Sequence, residues 1–255
     1  MTPPKALLSL LVLPLTVLPA LPAKAQDART HTAGSYYNRG NEKQKQGDLN
    51  GAIQDYTFAI TFDPTFVQAW NNRGVARYLK GEFDQAITDY TKAISLRPGY
   101  AEAWNNRGNA RHDKGDPDGA IADFNEAIRL NPRYTVAYHS RGNARQAKKD
   151  LAGAISDYTR AIELNSHFAS AWHNRGTARK AKGDFAGALA DFNEAIRLNP
   201  RRATSFAHRG LVHLLLGRDD EAEKDFTQCL RLDPGLKPLL DTGISEARQQ
   251  RAARH

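Results

Sequence analysis

The chain has 255 residues, a formal net charge of +8 at pH 7, 40% hydrophobic residues and one cysteine. The lone Cys229 excludes an intramolecular disulfide and a metal cluster built on cysteines. Beyond Gln26 there is no apolar run of about 18 residues, which argues against a membrane span in that part of the chain.

Residues 1–25 have the composition of a secretory signal peptide. Lys5 supplies a positive start, residues 6–18 are apolar, and Ala23-Lys24-Ala25 has the small-x-small form of a cleavage site before Gln26. Pro14, Pro19 and Pro22 and the shortness of the apolar run argue against a membrane anchor. The expectation is an exported protein, periplasmic or secreted. Loss of Lys5 and Lys24 lowers the formal charge from +8 to +6. Residues 26–32 read as a short polar lead-in.

From residue 33 a unit of 34 residues recurs six times without insertion or deletion: 33–66, 67–100, 101–134, 135–168, 169–202 and 203–236. A sustained period of this size predicts a stacked array. Each unit reads as two antiparallel helices. In the third, residues 101–114 form the first helix, and Gly115 sits where a helix ends in the left-handed conformation. Asp116 is an N-cap and Pro117 occupies the first helical position. Ala120, Ile121, Phe124, Ala127 and Ile128 make an apolar stripe on the second helix, which Pro132 stops. Gly108 is expected to face Ala120 and Ala127, so that the two axes approach closely. A fully buried large apolar side chain contributes roughly 1.5–3 kcal/mol, too little for one unit alone, so neighbours must stack. In the fourth unit Lys149 replaces the turn glycine and Ser166 the closing proline, which predicts a soft repeat. Cys229 takes a place held by alanine in the other units and reads as a small core residue. Residues 237–255 suggest one more helix that caps the array, ending in a basic tail.

The unit resembles the tetratricopeptide repeat (TPR), with its pattern W-x2-L-G-x2-Y, then A-x3-F, A and P. Trp70, Gly74, Ala86, Tyr90, Ala93 and Pro98 match it in the second unit. Trp104, Gly108, Ala120, Phe124, Ala127 and Pro132 match it in the third. Two departures recur: position 7, usually leucine, is arginine throughout, and position 11, usually tyrosine, is arginine in four units. The resemblance implies an all-α, right-handed α-solenoid of six helix-turn-helix repeats plus a C-terminal capping helix. It also implies a scaffold or adaptor that binds protein or peptide partners on a concave face lined by the first helices.

Three sets of residues are candidates for function. The first is Arg73, Arg107, Arg141 and Arg175 at position 7 with Asp89, Asp123, Asp157 and Asp191 at position 23. A guanidinium on a buried stripe needs a counter-charge, so these read as an ion-pair ladder that fixes repeat registry, or else as ligand contacts. The second is a basic stripe containing Arg77, Arg111, Arg145 and Arg179 at position 11, with Lys80, Lys114, Lys148 and Lys182 three residues on. It is either paired internally, with the lysines favouring the helix C-termini, or an anionic ligand track. The third is a polar face. Asn38, Asn72, Asn106 and Asn174 at position 6 resemble the asparagine ladder of superhelical TPR domains, which holds a peptide backbone; each amide offers both a donor and an acceptor. Asn71, Asn105, Asn109, His112, His139 and Asn143 lie beside them. The alternative is a merely solvated surface.

Leu211, Leu214 and Leu215 break that polar face in the sixth unit and suggest a docking patch for a partner or a second copy, or else a surface that the C-terminal helix covers in part. There is no metalloprotease, P-loop or nucleophile-elbow motif. The expectation is a non-enzyme without metal or cofactor that binds an extended, possibly acidic, peptide, nucleic acid being unlikely. The alternative is a binder of an anionic polymer or envelope glycan.

Overall fold

A computed structural model describes the backbone of residues 23–253 and the side chains from Thr32 onward. Most of the expected signal peptide therefore lies outside the described residues. Thirteen α-helices follow one another: α1 Ala23–Lys45, α2 Leu49–Phe62, α3 Val67–Leu79, α4 Phe83–Leu96, α5 Ala101–Asp113, α6 Pro117–Leu130 and α7 Thr135–Ala147, then α8 Leu151–Leu164, α9 Ala169–Ala181, α10 Phe185–Leu198, α11 Ala203–Leu215, α12 Asp219–Leu232 and α13 Lys237–Ala252. No strand occurs among the described residues. None of the described helices is long and apolar enough to cross a membrane. The chain is an all-α solenoid. Helix α1 begins at Ala23, so the stretch read as a lead-in is helical and continuous with the first repeat.

Within a repeat the two helices close on position 8. A Cβ added to Gly108 would lie 2.6 Å from Cε1 of Phe124, and one on Gly74 2.7 Å from Cε1 of Tyr90. The glycine thus makes room for the aromatic ring at position 24, not for Ala120 and Ala127 as its sequence position suggested. Those alanines face the next repeat: Ala120 packs with Ala144, and in the repeat before, Ala93 packs with Ala103. Small residues on both sides let successive repeats approach, which is how a thin two-helix unit acquires a buried interior.

The first helices of neighbouring repeats also touch one another, α1 with α3, α3 with α5 and so on to α11, whereas no comparable contact joins the second helices. The array is therefore curved with the first helices inside. The turns obey the sequence signals: Asp116 Oδ1 accepts from the Gly119 amide at 2.9 Å, and Lys149 stands at φ 64°, the left-handed region that glycine occupies in the other repeats. Replacing the closing proline with Ser166 leaves a neighbouring contact intact, for Trp172 Nε1 donates to its carbonyl at 2.9 Å as Trp104 does to that of Pro98.

The last helix, α13, covers the sixth repeat. Leu240 and Ala247 are buried against Leu214, Ala222 and Phe226, while Leu211 and Leu215 pack at the rim. Leu214 is 3% exposed. The leucine patch expected to dock a partner or second copy is thus occupied by the chain's own helix, because α13 lays its apolar side along α11. Arg251 near the end of α13 donates to the Leu214 carbonyl and to Asp219, so this part of the tail is tied down.

Candidate functional site

The charged ladder runs through the whole array. Arg73 donates Nε and Nη2 to the two oxygens of Asp89 at 2.9 and 2.7 Å. The same fork joins Arg107 to Asp123, Arg141 to Asp157 and Arg175 to Asp191, with Arg39–Asp55 and Arg209–Asp225 at the ends. These aspartates are buried, so each requires the charge-assisted fork that it receives.

All of these arginines except Arg39, which has no repeat before it, also reach backward. Arg73 Nη1 donates to Thr57, Arg107 to Thr91, Arg141 to Asn125, Arg175 to Thr159 and Arg209 to Asn193, at 2.7–3.1 Å. Every partner is position 25 of the preceding repeat. The guanidinium lies over the ring at position 4, as Arg107 does over Trp104 with 4.7 Å to the centroid. One side chain thus joins two helices of its own repeat and one of its neighbour.

The arginines of position 11 take the second lone-pair side of the same aspartates. Arg77, Arg111, Arg145 and Arg179 donate Nη1 to Asp89, Asp123, Asp157 and Asp191 at 2.8–2.9 Å. Lys114 and Lys148 bridge to Asp84 and Asp118 of the preceding repeats. The stripe is therefore held largely by carboxylates of the chain itself. In the sixth repeat His213 replaces this arginine, and its buried Nδ1 has no partner.

The polar face lies on the inner helices. Asn72 Nδ2 donates to Tyr37 and Asn41 of the preceding repeat, at 3.1 and 3.0 Å. Asn106 Nδ2 donates to Asn71 Oδ1 at 3.1 Å, and Asn174 Nδ2 lies 3.0 Å from His139 Nε2 and 2.8 Å from Asn143 Oδ1. The amide donors at position 6 thus join successive first helices. Asn38 is exposed, Asn106 and Asn174 are half-buried, and their Oδ1 atoms receive no hydrogen bond from other described residues. His112 bonds its neighbour Asp113 and borders solvent.

The line is interrupted once, between the third and fourth repeats. Ser140 stands where the other inner junctions offer asparagine or histidine, and the buried Asn105 Oδ1 beside it has no partner. Phe124 stands where Tyr56 and Tyr158 donate to position 9 of their own repeats, Asn41 and Asn143, so Asn109 receives no such bond.

Toward the C-terminal end the face changes character. His139 packs on Phe168, and His173 lies against His208 with ring centroids 5.3 Å apart. Burial first, with Arg202 next, lowers His139 to about 4 and His173 to about 3. His208 falls to about 4 through burial, then Lys180 and Arg202. Sequence reasoning noted His208 only as a departure from the asparagines of position 6 and did not single out Lys180 or Arg202. The signal present was that Arg202 replaces the aromatic or aliphatic residue closing every other repeat.

No group of histidine, cysteine and carboxylate side chains suited to a metal ion occurs among the described residues.

Comparison with known proteins agrees with this architecture. Family profiles described as TPR repeat match residues 40–81 and 75–115, and others described as tetratricopeptide repeat match 101–134, 136–168 and 173–236. No curated protein matches the chain. Among solved structures, MamA is 28% identical with a TM-score of 0.59, over 63% of this chain and 94% of its own. Pseudomonas aeruginosa pilF is 20% identical with a TM-score of 0.73, over 82% and 95%. YrrB, described as a TPR protein with an unusual peptide-binding site, is 20% identical with a TM-score of 0.60, over 76% and 97%. The repeat pattern, the stacked helix pairs and the matches along most of its length agree: the chain belongs to the tetratricopeptide repeat family.

Proposed function

We propose that this protein is an exported scaffold whose inner face holds an extended peptide of a partner protein. The observation that carries this reading is the row of amide oxygens on Asn106 and Asn174, with the whole amide of Asn38 at the open end. Because the Nδ2 groups of Asn106 and Asn174 are spent on the preceding repeat, those two side chains are held in place and their oxygens remain to accept main-chain N–H groups. A partly exposed acceptor fixed beforehand loses little rotamer entropy on binding. The fold relationship to YrrB, whose description names a peptide-binding site, is in keeping with this use.

The reading is of a binding protein, not a catalyst, since its polar residues serve the stacking of repeats. Export rests on the sequence of residues 1–25. A track for an anionic polymer is the weaker alternative, because Arg77, Arg111, Arg145 and Arg179 are each held by an aspartate.

The test is crosslinking and pull-down from the exported fraction with wild type and with Asn72, Asn106 and Asn174 changed to Ala, after circular dichroism has shown that the variant is folded. Loss of the recovered partners is expected. Unchanged recovery by the folded variant would remove the amide mechanism.

A further inference from the structure

The face on which each repeat receives the one before it is open at the N-terminal end of the array. At the internal junctions the second helix of one repeat brings two things to the first helix of the next. One is an oxygen for the ladder arginine, from Thr57, Thr91, Asn125, Thr159 or Asn193. The other is an aliphatic side chain three residues on: Ile60 packs with Ala69 and Trp70, and Ile94 with Ala103 and Trp104. In the first repeat Tyr36 and Arg39 hold the corresponding places, and no repeat covers them. The Arg39 side chain is 56% exposed, against 10% for Arg73 and Arg107. Its Nε and Nη2 hold Asp55, and its Nη1 meets no acceptor among the described residues.

This end is also apolar. The Tyr36 ring lies 5.0 Å from that of Phe58 and 5.5 Å from that of Phe62, centroid to centroid, and the Arg39 guanidinium stands 4.9 Å from its centre. Phe58 and Phe62 are 39% and 36% exposed. Phe58 occupies position 26, which holds Lys92, Glu126, Arg160, Glu194 and Gln228 in the other repeats, so the repeat pattern does not call for an aromatic ring there. Terminal repeats of a solenoid ordinarily turn a polar side outward, and adjoining exposed apolar side chains mark a contact surface. A cavity of roughly 460 Å³ lies beside Tyr36 and Arg39. Both phenylalanines belong to the second helix α2, so the patch lies off the inner face.

Three features of the chain select the occupant. Helix α1 runs unbroken from Ala23, so residues 23–32 continue along its axis and do not fold back over Tyr36. Glu42, bonded to Lys45, stands where the other repeats have Ala76, Ala110, Ala144, Ala178 and Val212. A further whole repeat, stacked as inside the array, would bury that carboxylate at a cost. The matching face of a second copy is taken, since Ala222, Phe226 and Leu230 of α12 pack with α13. What fits is a smaller element that covers Tyr36 and Arg39 and leaves Glu42 in water. Arg39 and Lys43 share the single carboxylate of Asp55, so the exposed guanidinium favours an oxygen acceptor.

We propose that Tyr36, Arg39, Phe58 and Phe62 form a docking site for one amphipathic helix of a partner protein. The helix gives a hydroxyl or amide oxygen to Arg39 and, three residues on, an aliphatic side chain to the aromatic rings. The site occurs once in the array and is separate from the inner face, so the two can fail independently.

The probe is a stapled helix that copies α4, residues Phe83–Leu96, whose Thr91 and Ile94 serve Arg107 and Trp104 in this way within the chain. A control peptide carries Thr91→Val and Ile94→Lys. Fluorinated phenylalanine in the full-length protein reports the ring signals of Phe58 and Phe62, and anisotropy of the dye-labelled peptide gives the affinity. Saturable binding that shifts both signals is expected. The control peptide should bind at least tenfold more weakly, and so should the protein variant Phe58→Lys, at an unchanged urea midpoint. Arg39→Lys, which keeps a charge beside Asp55 and loses the free Nη1, should weaken binding severalfold. No saturable shift of Phe58 and Phe62, equal binding of the control peptide, or full binding by Phe58→Lys would each overturn the proposal. A sedimentation mass that rises with concentration in wild type and not in Phe58→Lys would give the face to a second copy instead. Binding that appears only after residues 1–22 are removed would give it to the chain's own upstream segment. Either result would also overturn the proposal.

Discussion

Arg107 grips Asp123 through two parallel hydrogen bonds of 2.9 and 2.8 Å, and with its third nitrogen crosses to Thr91 of the preceding repeat at 3.1 Å. Arg111 adds a fourth contact, to the same carboxylate at 2.9 Å. The aspartate is 1% exposed. Removing it leaves two guanidinium groups without a counter-charge, one of them buried, and frees the link to the second repeat.

Asp123→Ala is therefore expected to destabilise the array by about 3–5 kcal/mol, the range for breaking one side of a buried pair. Urea unfolding followed by circular dichroism measures it. Because repeats are coupled to their neighbours, the loss should spread to the second and fourth repeats in hydrogen exchange. A stability-neutral variant would show that the ladder does not hold the repeats together.

Lys149 is a non-glycine residue in the left-handed region, φ 64°. Such a position costs about 1 kcal/mol relative to glycine. Lys149→Gly should raise the urea midpoint and increase protection of amides near the fourth repeat. No change, or uniform protection of repeats two to five in the wild type, would contradict the strain assigned to this turn.

The broken polar line between Asn105 and Ser140 suggests an opposite kind of variant. Ser140→Asn restores the donor that Asn106 and Asn174 provide at their own junctions. A satisfied buried hydrogen bond contributes about 1 kcal/mol, so the variant should be more stable by roughly that amount. A loss of stability would mean that the gap between α5 and α7 is too small for the amide.

His139, His173 and His208 give the pH dependence a definite sign. Their folded values are lowered to about 4, 3 and 4, whereas in the unfolded chain the rings titrate near 6.5. Below about pH 6.5 the unfolded chain therefore takes up protons that the folded chain refuses. Stability should be flat above neutrality on their account and fall as the pH drops from about 6.5 toward 4. Urea midpoints at pH 7.5, 6 and 4.5 measure the fall, and His173→Asn should reduce it. A variant with the same slope as wild type would show that His173 is not the ring held neutral.

Much of the fold could be read from the chain because the 34-residue period, the caps and the apolar stripes are local signals. The pairing of position 7 with position 23 was legible for a similar reason: a buried arginine needs an acid, and one acid recurs on the partner helix. Contacts between repeats were not. They depend on how one helix pair rotates on the next, which no 3.6-residue pattern encodes. Hence the backward bond from Arg107 to Thr91 and the use of the Asn106 amide on Asn71 appeared only in the structure. The role of Gly108 was misplaced because its neighbour Phe124 was read only as part of the apolar stripe. Lys180 and Arg202 were invisible because neither recurs, and repeat-based reading favours what does.

The most direct measurement places a photo-crosslinking residue at single positions of the full-length protein in its native host and maps the adducts by mass spectrometry. His112 on the inner helix α5 and Asn38 on α1 should capture a peptide segment of the same partner. Arg129 and Arg197, exposed on the second helices α6 and α10, should capture none of it. Adducts from Arg129 and Arg197 with none from His112 and Asn38 would place the partner on the outer face and contradict the use of the inner one.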